Sequence, residues 1–206
     1  MTVHSLTVGE LAVNTYLIWE SPTEALLIDP GDEPERLLAW IRSLGLHLKA
    51  VLLTHAHFDH MGAVEAICRA TGAPLWVGAA DEAALTDDTR NLSAVFGAPL
   101  GFTIKADRLL YDGDTVSLGG TKLTVYETPG HTPGSLCLLG RDALFSGDTL
   151  FAGSCGRTDF PGGDYSAMRA SLRRLADLPG DPTVYPGHGE TSTLTEEKRS
   201  NPVLSF

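Results

Sequence analysis

Cysteine is scarce in this chain, which has three in 206 residues and no CxxC spacing. A small, odd and scattered set excludes a disulfide framework of the kind that stabilises small secreted domains. Reduced thiols instead predict a cytoplasmic protein. We expect Cys68 and Cys137 to be buried packing residues, whereas Cys155 lies close enough to Asp148 in sequence to border a site there.

Basic residues are also few, at 15 Lys and Arg against 26 Asp and Glu, which gives a formal net charge of -11. This balance excludes a broad basic face, so neither nucleic acid nor a membrane surface is an expected partner. No apolar run approaches the roughly 20 residues that span a bilayer. The first ten residues lack the basic and apolar segments of a secretory signal, which again favours the cytoplasm.

The rest of the composition, with 43% hydrophobic residues, is typical of a globular chain, and we expect residues 1–206 to form a single domain. Apolar patterning predicts strands at residues 3–8, 13–19, 25–29, 50–54, 122–127, 135–139, 143–146 and 183–185. Helical spacing predicts helices at residues 34–44, 61–71 and 164–178. Strand groups alternating with single helices indicate an α/β (α+β) fold, in which two sheets pack together with helices outside.

Local signals suggest where some elements end. Asp32 is a candidate cap for the first helix, and Gly9-Glu10 and Ser21-Pro22 mark turns between the first three strands. The segment 87–105 is less regular. Its glycines, proline and apolar residues predict either a loop or helical lid beside a site, or a plain surface connection.

Histidine carries the strongest functional signal, because five of the seven histidines lie in three short segments that follow predicted strands. The densest segment is His55-Ala-His57-Phe-Asp59-His60, which places four potential ligands at the exit of a buried strand. Imidazole nitrogens with a carboxylate suit zinc, iron or manganese, whereas calcium requires oxygen ligands. The spacing therefore predicts a metal site.

Three further segments add candidate ligands. His131 lies between paired Pro-Gly turns, Asp148 follows an apolar strand, and His188 lies in a glycine-bounded turn. Rigid strand ends can direct all of these side chains to one edge of a sheet. A single histidine in a turn is usually a surface or capping residue, which is the interpretation we keep for His4 and His47. The four segments together favour a metal centre.

This series of motifs resembles the metallo-β-lactamase superfamily along essentially the whole chain, from Leu27-Ile-Asp29-Pro-Gly31 through the HxHxDH at residues 55–60 to the later ligands in the same order. The resemblance implies a four-layer αββα sandwich with two metal ions at one edge of the sheets. The implied ligand sets are His55, His57 and His131 for one ion, and Asp59, His60 and His188 for the other, with Asp148 bridging them. Asp29 matches an acidic position that would orient the site rather than bind metal.

A closer resemblance is to the short, single-domain glyoxalase II-type hydrolases, the hydroxyacylglutathione hydrolase-like group. It is carried by Phe145-Ser-Gly-Asp148, the segment 153–161 (GSCGRTDFP), Pro186-Gly-His-Gly189 and Asn201-Pro202. It implies hydrolysis of glutathione thioesters, S-2-hydroxyacylglutathione such as S-lactoylglutathione. Two-domain glyoxalase II has a further helical region after its last metal histidine that helps to hold glutathione. Only a short tail follows His188, so that mode of holding the substrate is not expected.

The implied chemistry needs two divalent ions, expected to be Zn2+ with iron or manganese as alternatives, which lower the pKa of a shared water towards about 7. The resulting hydroxide would attack the thioester, and a thiolate with a pKa near about 8.5 leaves with little assistance. Asp59 and Asp148 are the catalytic candidates for orienting the nucleophile. Arg157 is the candidate for binding an anionic substrate, and a salt bridge with Asp159 or Asp164 is the competing interpretation. The expected partner is a small-molecule thioester, and the expected assembly a monomer or small homo-oligomer.

Other activities of the superfamily stay open. A mononuclear iron persulfide dioxygenase shares the Gly-Arg-Thr-Asp-Phe run at residues 156–160, but usually carries Pro-Ala-His-Asp where this chain has Pro186-Gly-His-Gly189. A secreted β-lactamase is disfavoured by Asp148, where many of those enzymes have cysteine, and by the missing export signal. An RNA nuclease is disfavoured by the acidic charge. A hydrolase with another substrate, or a metal-binding module closed to substrate, is a further alternative.

Overall fold

The computed structural model describes residues 1–20 and 23–205, so the turn predicted at Ser21-Pro22 lies outside the described residues. The first half of the chain forms the elements β1 (Thr2–Val8), β2 (Val13–Trp19), β3 (Glu24–Ile28), α1 (Pro34–Ser43), β4 (His47–Leu52), α2 (Phe58–Met61), α3 (Val64–Thr71), β5 (Leu75–Gly78), a 3₁₀ helix (Ala79–Leu85) and β6 (Arg108–Leu110). The second half forms β7 (Thr115–Leu118), β8 (Thr121–Glu127), β9 (Leu136–Leu139), β10 (Ala143–Gly147), α4 (Tyr165–Ala176), β11 (Thr183–Pro186), β12 (Ser192–Thr193), α5 (Leu194–Ser200) and a second 3₁₀ helix (Pro202–Leu204).

Each half of the chain builds one six-stranded sheet. The first sheet has the order β1-β2-β3-β4-β5-β6, antiparallel through β3 and parallel from β3 to β6. The second has the order β12-β11-β10-β9-β8-β7, antiparallel except for the parallel pair β10 and β11. Both sheets are therefore mixed, and both contain parallel strands whose carboxyl ends meet at one edge.

The main core lies between the two sheets. Strands alternate their side chains between faces, so Tyr16 and Ile18 of β2 point into this core while Leu17 points to the opposite side. Phe145 of β10 is fully buried there, with its ring centroid 5.4 Å from that of Tyr16 and 5.1 Å from that of Tyr185. Because both faces of the central strands are covered, these strands are apolar throughout.

Helices cover the outer faces. Leu37 and Ile41 of α1, with Ile67 of α3, pack on the first sheet in one apolar cluster. Met168 and Leu172 of α4 pack on the second sheet in another cluster. The layers therefore run helix, sheet, sheet, helix, and the expected αββα sandwich is confirmed.

Two local predictions in the first half are wrong. Asp32 does not cap α1: Glu33 occupies the cap position in the left-handed region, and the Asp32 carboxylate instead accepts a hydrogen bond from the Glu33 N–H at 2.6 Å. The single helix predicted at residues 61–71 is two helices. The break lies at Gly62 and Ala63, where the Ala63 N–H donates to the carbonyl of Pro30 at 3.0 Å and Gly62 lies so close to the carbonyl of Gly31 that a Cβ would collide with that oxygen.

Several short elements had no sequence signal. The strands β5, β6, β7 and β12 and the helix α5 were absent from the sequence prediction, since each is short and its pattern covers too few residues to show a period. The segment 87–105 contains neither helix nor strand, so it is a loop and not a helical lid. In the described part of the chain, no helix combines the length and apolar character needed to cross a bilayer.

Candidate metal centre

All seven predicted ligands come together at one edge of the sandwich. They lie in the segments that follow four strands, β4, β8, β10 and β11, and two of these strands are parallel neighbours in the second sheet. Asp59 and His60 belong to the short helix α2, and the other five ligands lie in loops. Their donor atoms form three overlapping groups, and within each group the atoms lie within 4.8 Å of one another. The groups are His55, His57 and His131; His55, His60 and Asp148; and Asp59, His60 and His188.

Asp148 lies between the two outer groups. Its Oδ1 is 3.4 Å from Nε2 of His60, and its Oδ2 is 3.4 Å from Nε2 of His131. The same Oδ2 is 3.6 Å from Nε2 of His188. Each carboxylate oxygen therefore faces a different set of imidazoles. The role of bridging ligand stays a prediction, and this geometry is consistent with it.

The histidine rings are oriented by partners on their other nitrogen. Nδ1 of His131 donates to the carbonyl of Arg157 at 2.7 Å, and Nδ1 of His188 donates to the carbonyl of Leu11 at 3.0 Å. Since a carbonyl can only accept, the Nδ1 atoms carry protons, and the Nε2 atoms are the ones that face the donor groups. A hydrogen bond to the distal ring nitrogen is the usual arrangement around metal-binding histidines.

Three buried atoms at the site have no hydrogen-bond partner among the described residues: Nε2 of His55, Nε2 of His57 and Oδ1 of Asp148. An unpaired buried polar atom costs about 1–3 kcal/mol, so a cluster of them requires a compensating ligand. All three are lone-pair donors that suit zinc, iron or manganese. Because these three atoms are buried and have no hydrogen-bond partner in the described part of the chain, the site fits metal ions.

The electrostatics also favour cations. Burial and the neighbouring imidazoles lower the pKa of His57 to about 3, and burial lowers the pKa of His55 well below its usual value, so both rings are neutral. Burial also acts to lower the pKa of His60, but the carboxylates of Asp148, Asp59 and Asp29 raise it to about 10. The carboxylates thus stabilise positive charge around His60, and they would stabilise a bound metal cation in the same way.

Asp29 has the position expected of an orienting residue. Its Oδ2 accepts from Oγ1 of Thr54 at 2.6 Å and lies 3.0 Å from Nδ1 of His60, while its Oδ1 accepts from the Thr54 N–H at 2.7 Å. The side chain is 1% exposed and belongs to none of the three donor groups. Its backbone is in the left-handed region at φ 50°, a conformation that aspartate tolerates better than most residues.

The loop that carries His188 is held by two residues that the sequence analysis missed. The side chain of Asn14 donates to the carbonyls of Pro186 and Gly189, and the hydroxyl of Tyr16 donates to Pro186 at 2.6 Å. The one signal available in the sequence is an asparagine, Asn14, within a strand that is otherwise mostly apolar. A further buried carboxylate, Asp81, was also missed, because it lies in a segment without a histidine motif.

The site opens into a cleft of about 450 Å³. Apolar side chains make up much of the wall, and four of them are phenylalanines: Phe58, Phe96, Phe151 and Phe160. Phe96 belongs to the segment 87–105, so this loop does lie beside the site. Asp59, His131, Asp148 and His188 form part of the floor.

Arg157 lies at the rim of the same cleft but already has a partner. It donates two hydrogen bonds to Asp159, at 2.6 and 2.7 Å, and its guanidinium lies over the ring of Phe160 at 4.0 Å. Asp164 instead caps α4 by accepting from the Ala167 N–H. The salt bridge with Asp159 is therefore present, and a role in substrate binding would require Arg157 to exchange partners.

The cysteines are free thiols. Cys137 is fully buried, as expected, and burial raises its pKa to about 11, while Cys68 is only partly buried. Cys155 packs against the outer core of the second sheet and does not line the cleft.

The fold and the donor groups define a metallo-hydrolase. The sequence model of the metallo-beta-lactamase superfamily matches residues 8–188. The chain belongs to the metallo-β-lactamase superfamily, as the resemblance in its motifs indicated.

The chain is also similar to individual members of this superfamily. The chain is 37% identical to a hydroxyacylglutathione hydrolase GloC of Haemophilus influenzae, over 100% of this chain and 99% of the relative. Among solved structures, it resembles the BLEG-1 B3 metallo-beta-lactamase with a TM-score of 0.95 at 35% identity, covering 100% of both chains. It also resembles TTHA1623 in a di-iron-bound form, with a TM-score of 0.87 at 41% identity over 97% of this chain and 99% of that one.

Proposed function

We propose that this protein hydrolyses thioesters with two bound metal ions, and that glutathione thioesters of the S-2-hydroxyacyl type, such as S-lactoylglutathione, are its substrates. The observation that carries the proposal is the position of Asp148, whose two oxygens each lie 3.4 Å from an imidazole of a different donor group. Two groups joined by one carboxylate suit a pair of ions better than a single ion. The similarity to the hydroxyacylglutathione hydrolase of Haemophilus influenzae supports this substrate class.

In this proposal His55, His57 and His131 hold one ion, Asp59, His60 and His188 hold the other, and Asp148 contacts both. Zinc is our first choice, with iron and manganese as alternatives for the same donors. When bound, such ions lower the pKa of water towards about 7 and polarise carbonyl groups. The seven residues thus form the metal-binding part of the site, and Asp29 orients His60 from outside it.

The carboxylates of Asp59 and Asp148 are the groups that orient an attacking water. Both line the cleft. Burial acts to raise the pKa of Asp59, but the charge of His60 and a hydrogen bond from His188 lower it well below its usual range, so this carboxylate stays an acceptor at neutral pH. An ionised carboxylate can accept a hydrogen bond from the water and so direct an oxygen lone pair towards the substrate carbonyl. No acid is needed for departure, since a thiol pKa near about 8.5 makes the thiolate a good leaving group.

The direct test is a thioester assay on protein loaded separately with Zn2+, Fe2+ and Mn2+. We expect loss of the thioester absorbance of S-lactoylglutathione with at least one metal, and none with protein treated with a chelator. No loss with any of the three metals would contradict the proposal.

β-Lactam hydrolysis is a second candidate, favoured by the TM-score of 0.95 to the BLEG-1 enzyme. A chromogenic cephalosporin, assayed with the same metal-loaded samples, separates the two hydrolytic activities. A third arm measures oxygen consumption with glutathione persulfide and Fe2+. Activity in that arm alone would identify a persulfide dioxygenase instead.

Arg157 provides a test of how an anionic thioester is held. We expect Arg157→Met to raise KM for S-lactoylglutathione about tenfold with kcat within about twofold, because one charge-assisted hydrogen bond contributes roughly 1.5 kcal/mol. Arg141→Met is the matched control, since Arg141 is 92% exposed and remote from the cleft. An unchanged KM in Arg157→Met would mean that this arginine serves only its salt bridge with Asp159.

We also propose that the protein acts in the cytoplasm, where its three free thiols would stay reduced. Residues 1–206 would act as one domain, as a monomer or small homo-oligomer, without nucleic acid or a membrane as partner. Size-exclusion chromatography with light scattering measures the assembly directly.

A further inference from the structure

Asp81 is a buried carboxylate that belongs to none of the donor groups. It lies in the 3₁₀ helix after β5 and is 3% exposed. Its Oδ2 accepts from the Ala56 N–H at 3.0 Å and from Oγ1 of Thr132 at 2.8 Å, and its Oδ1 accepts from the Gly134 N–H at 2.7 Å. One side chain therefore satisfies three buried donors.

These donors come from the two loops that carry one complete donor group. Ala56 lies between His55 and His57, in the loop after β4 of the first sheet. Thr132 follows His131, in the loop between β8 and β9 of the second sheet. The carboxylate thus connects ligand loops from different sheets, which are held together at this point by side-chain hydrogen bonds and by a backbone bond from the Leu136 N–H to the carbonyl of Thr54 at 2.8 Å.

Glycines keep this junction tight. A Cβ on Gly134 would collide with the backbone N–H group of Asp81 and would lie 2.6 Å from its carboxylate. A Cβ on Gly78, at the end of β5, would collide with the carbonyl of Gly134. The segment that bears Asp81 and the loop that bears His131 therefore touch through their backbones. The Asp81 segment and the His131 loop cannot separate without breaking buried hydrogen bonds. Asp81 therefore fixes the distance between these two segments.

We propose that Asp81 is the positioning residue of the His55, His57 and His131 group, fixing the separation of its ligand loops and so its affinity for metal. Asp29 has the corresponding arrangement beside the other group, where it receives hydrogen bonds from Thr54 and contacts His60. Asp29 contacts His60 directly and reaches His55 only through the Thr54 hydroxyl, which lies 3.2 Å from Nδ1 of that ring. The inference rests on the metal centre proposed above but needs no particular substrate.

The test is cadmium binding to Asp81→Asn. The amide has the same shape as the carboxylate but one acceptor fewer, so at least one of the three donors faces an N–H group. Loss of an outer hydrogen-bonding partner lowers metal affinity about 10–100-fold, and we expect this loss at the three-histidine group only. The ¹¹³Cd NMR spectrum separates the groups, because one offers three nitrogens and the other two nitrogens and a carboxylate. Chelator competition gives each affinity.

Three further variants complete the experiment. Asp29→Asn should weaken the Asp59, His60 and His188 group instead. Asp107→Asn is the matched control, since Asp107 also accepts a backbone N–H, from Leu75 at 2.8 Å, but lies away from the site. Gly134→Ala keeps the carboxylate of Asp81 but displaces it, so it should also lower the cadmium affinity of the three-histidine group. This variant separates the effect of the carboxylate's position from the effect of its charge.

Urea unfolding of the metal-free proteins distinguishes positioning from general stability. If Asp81→Asn lowers the stability of the metal-free protein while both cadmium affinities stay unchanged, the proposal is overturned. Equal weakening of both groups would also overturn it. Cadmium binding is measured without substrate, so a negative thioester assay would leave this result intact, and the reverse also holds.

Discussion

Replacing Asp148 by asparagine is expected to lower kcat/KM for the thioester by more than about a hundredfold, because losing even an outer partner of a metal ligand lowers activity about 10–100-fold. The amide keeps the shape of the side chain but offers one oxygen where two now face the His60 and His131 rings. At one of these two positions an amide NH2 group therefore replaces a carboxylate oxygen. The buried Oδ1 has no other partner among the described residues, so the change removes no hydrogen bond within the protein.

The measurement is steady-state kinetics together with metal content after dialysis. Asp142→Asn is a suitable control, because Asp142 lies just before the same strand and its side chain is 88% exposed. We expect the control to match the wild type in both readouts. An Asp148→Asn enzyme that retained two metal ions and near-normal kcat/KM would show that Asp148 neither bridges the groups nor orients the nucleophile.

The largest effect on stability is expected for Phe145→Ala, at about 3–5 kcal/mol of unfolding free energy, the usual range for removing a buried phenylalanine. The ring has no exposed surface and lies between the rings of Tyr16 and Tyr185 at the centre of the inter-sheet core. Strand ladders on both sides prevent the backbone from closing the cavity. Phe145 is also two residues before Gly147 on the strand that leads to Asp148, so metal affinity should fall as well.

Urea unfolding of metal-free protein measures this loss without the contribution of bound ions. With a slope of about 1–3 kcal/mol per molar urea, the midpoint should fall by at least about 1 M. Tyr165→Ala is a matched aromatic control, since Tyr165 is 63% exposed at the start of α4, and it should change stability by less than about 0.5 kcal/mol. A loss below about 1.5 kcal/mol for Phe145→Ala would mean that the two sheets can repack around the gap.

The elements that the sequence predicted well are those whose signals are local. The strand predicted at residues 13–19 has the same bounds as β2, because an alternating stretch rich in β-formers follows a glycine turn. The histidine motifs were found because four ligands within six residues form a pattern that no alternation of core residues produces. The later ligands follow in the order typical of the metallo-β-lactamase superfamily, and that resemblance predicted the αββα sandwich.

The parts that escaped prediction depend on partners far away in the chain. The break after α2 lies where the Ala63 N–H bonds the carbonyl of Pro30, and Asp81 matters because of loops near residues 56 and 132. No window of sequence contains both members of such a pair. Glu33 displaces Asp32 from the helix cap for the same reason, since its carboxylate accepts from the N–H of Gly9 in the first hairpin turn.

The division of the chain into two sheets affects the order in which the site can be assembled. Each half can complete its own hydrogen-bonded ladder, since no described strand of one sheet pairs within the other and the chain passes between the sheets once, at residues 111–114. The first sheet contributes His55 and His57, whereas His131 comes from the second. The three-histidine group therefore exists only after the halves have docked, and the affinity of that group for metal reports long-range assembly rather than the folding of any single loop.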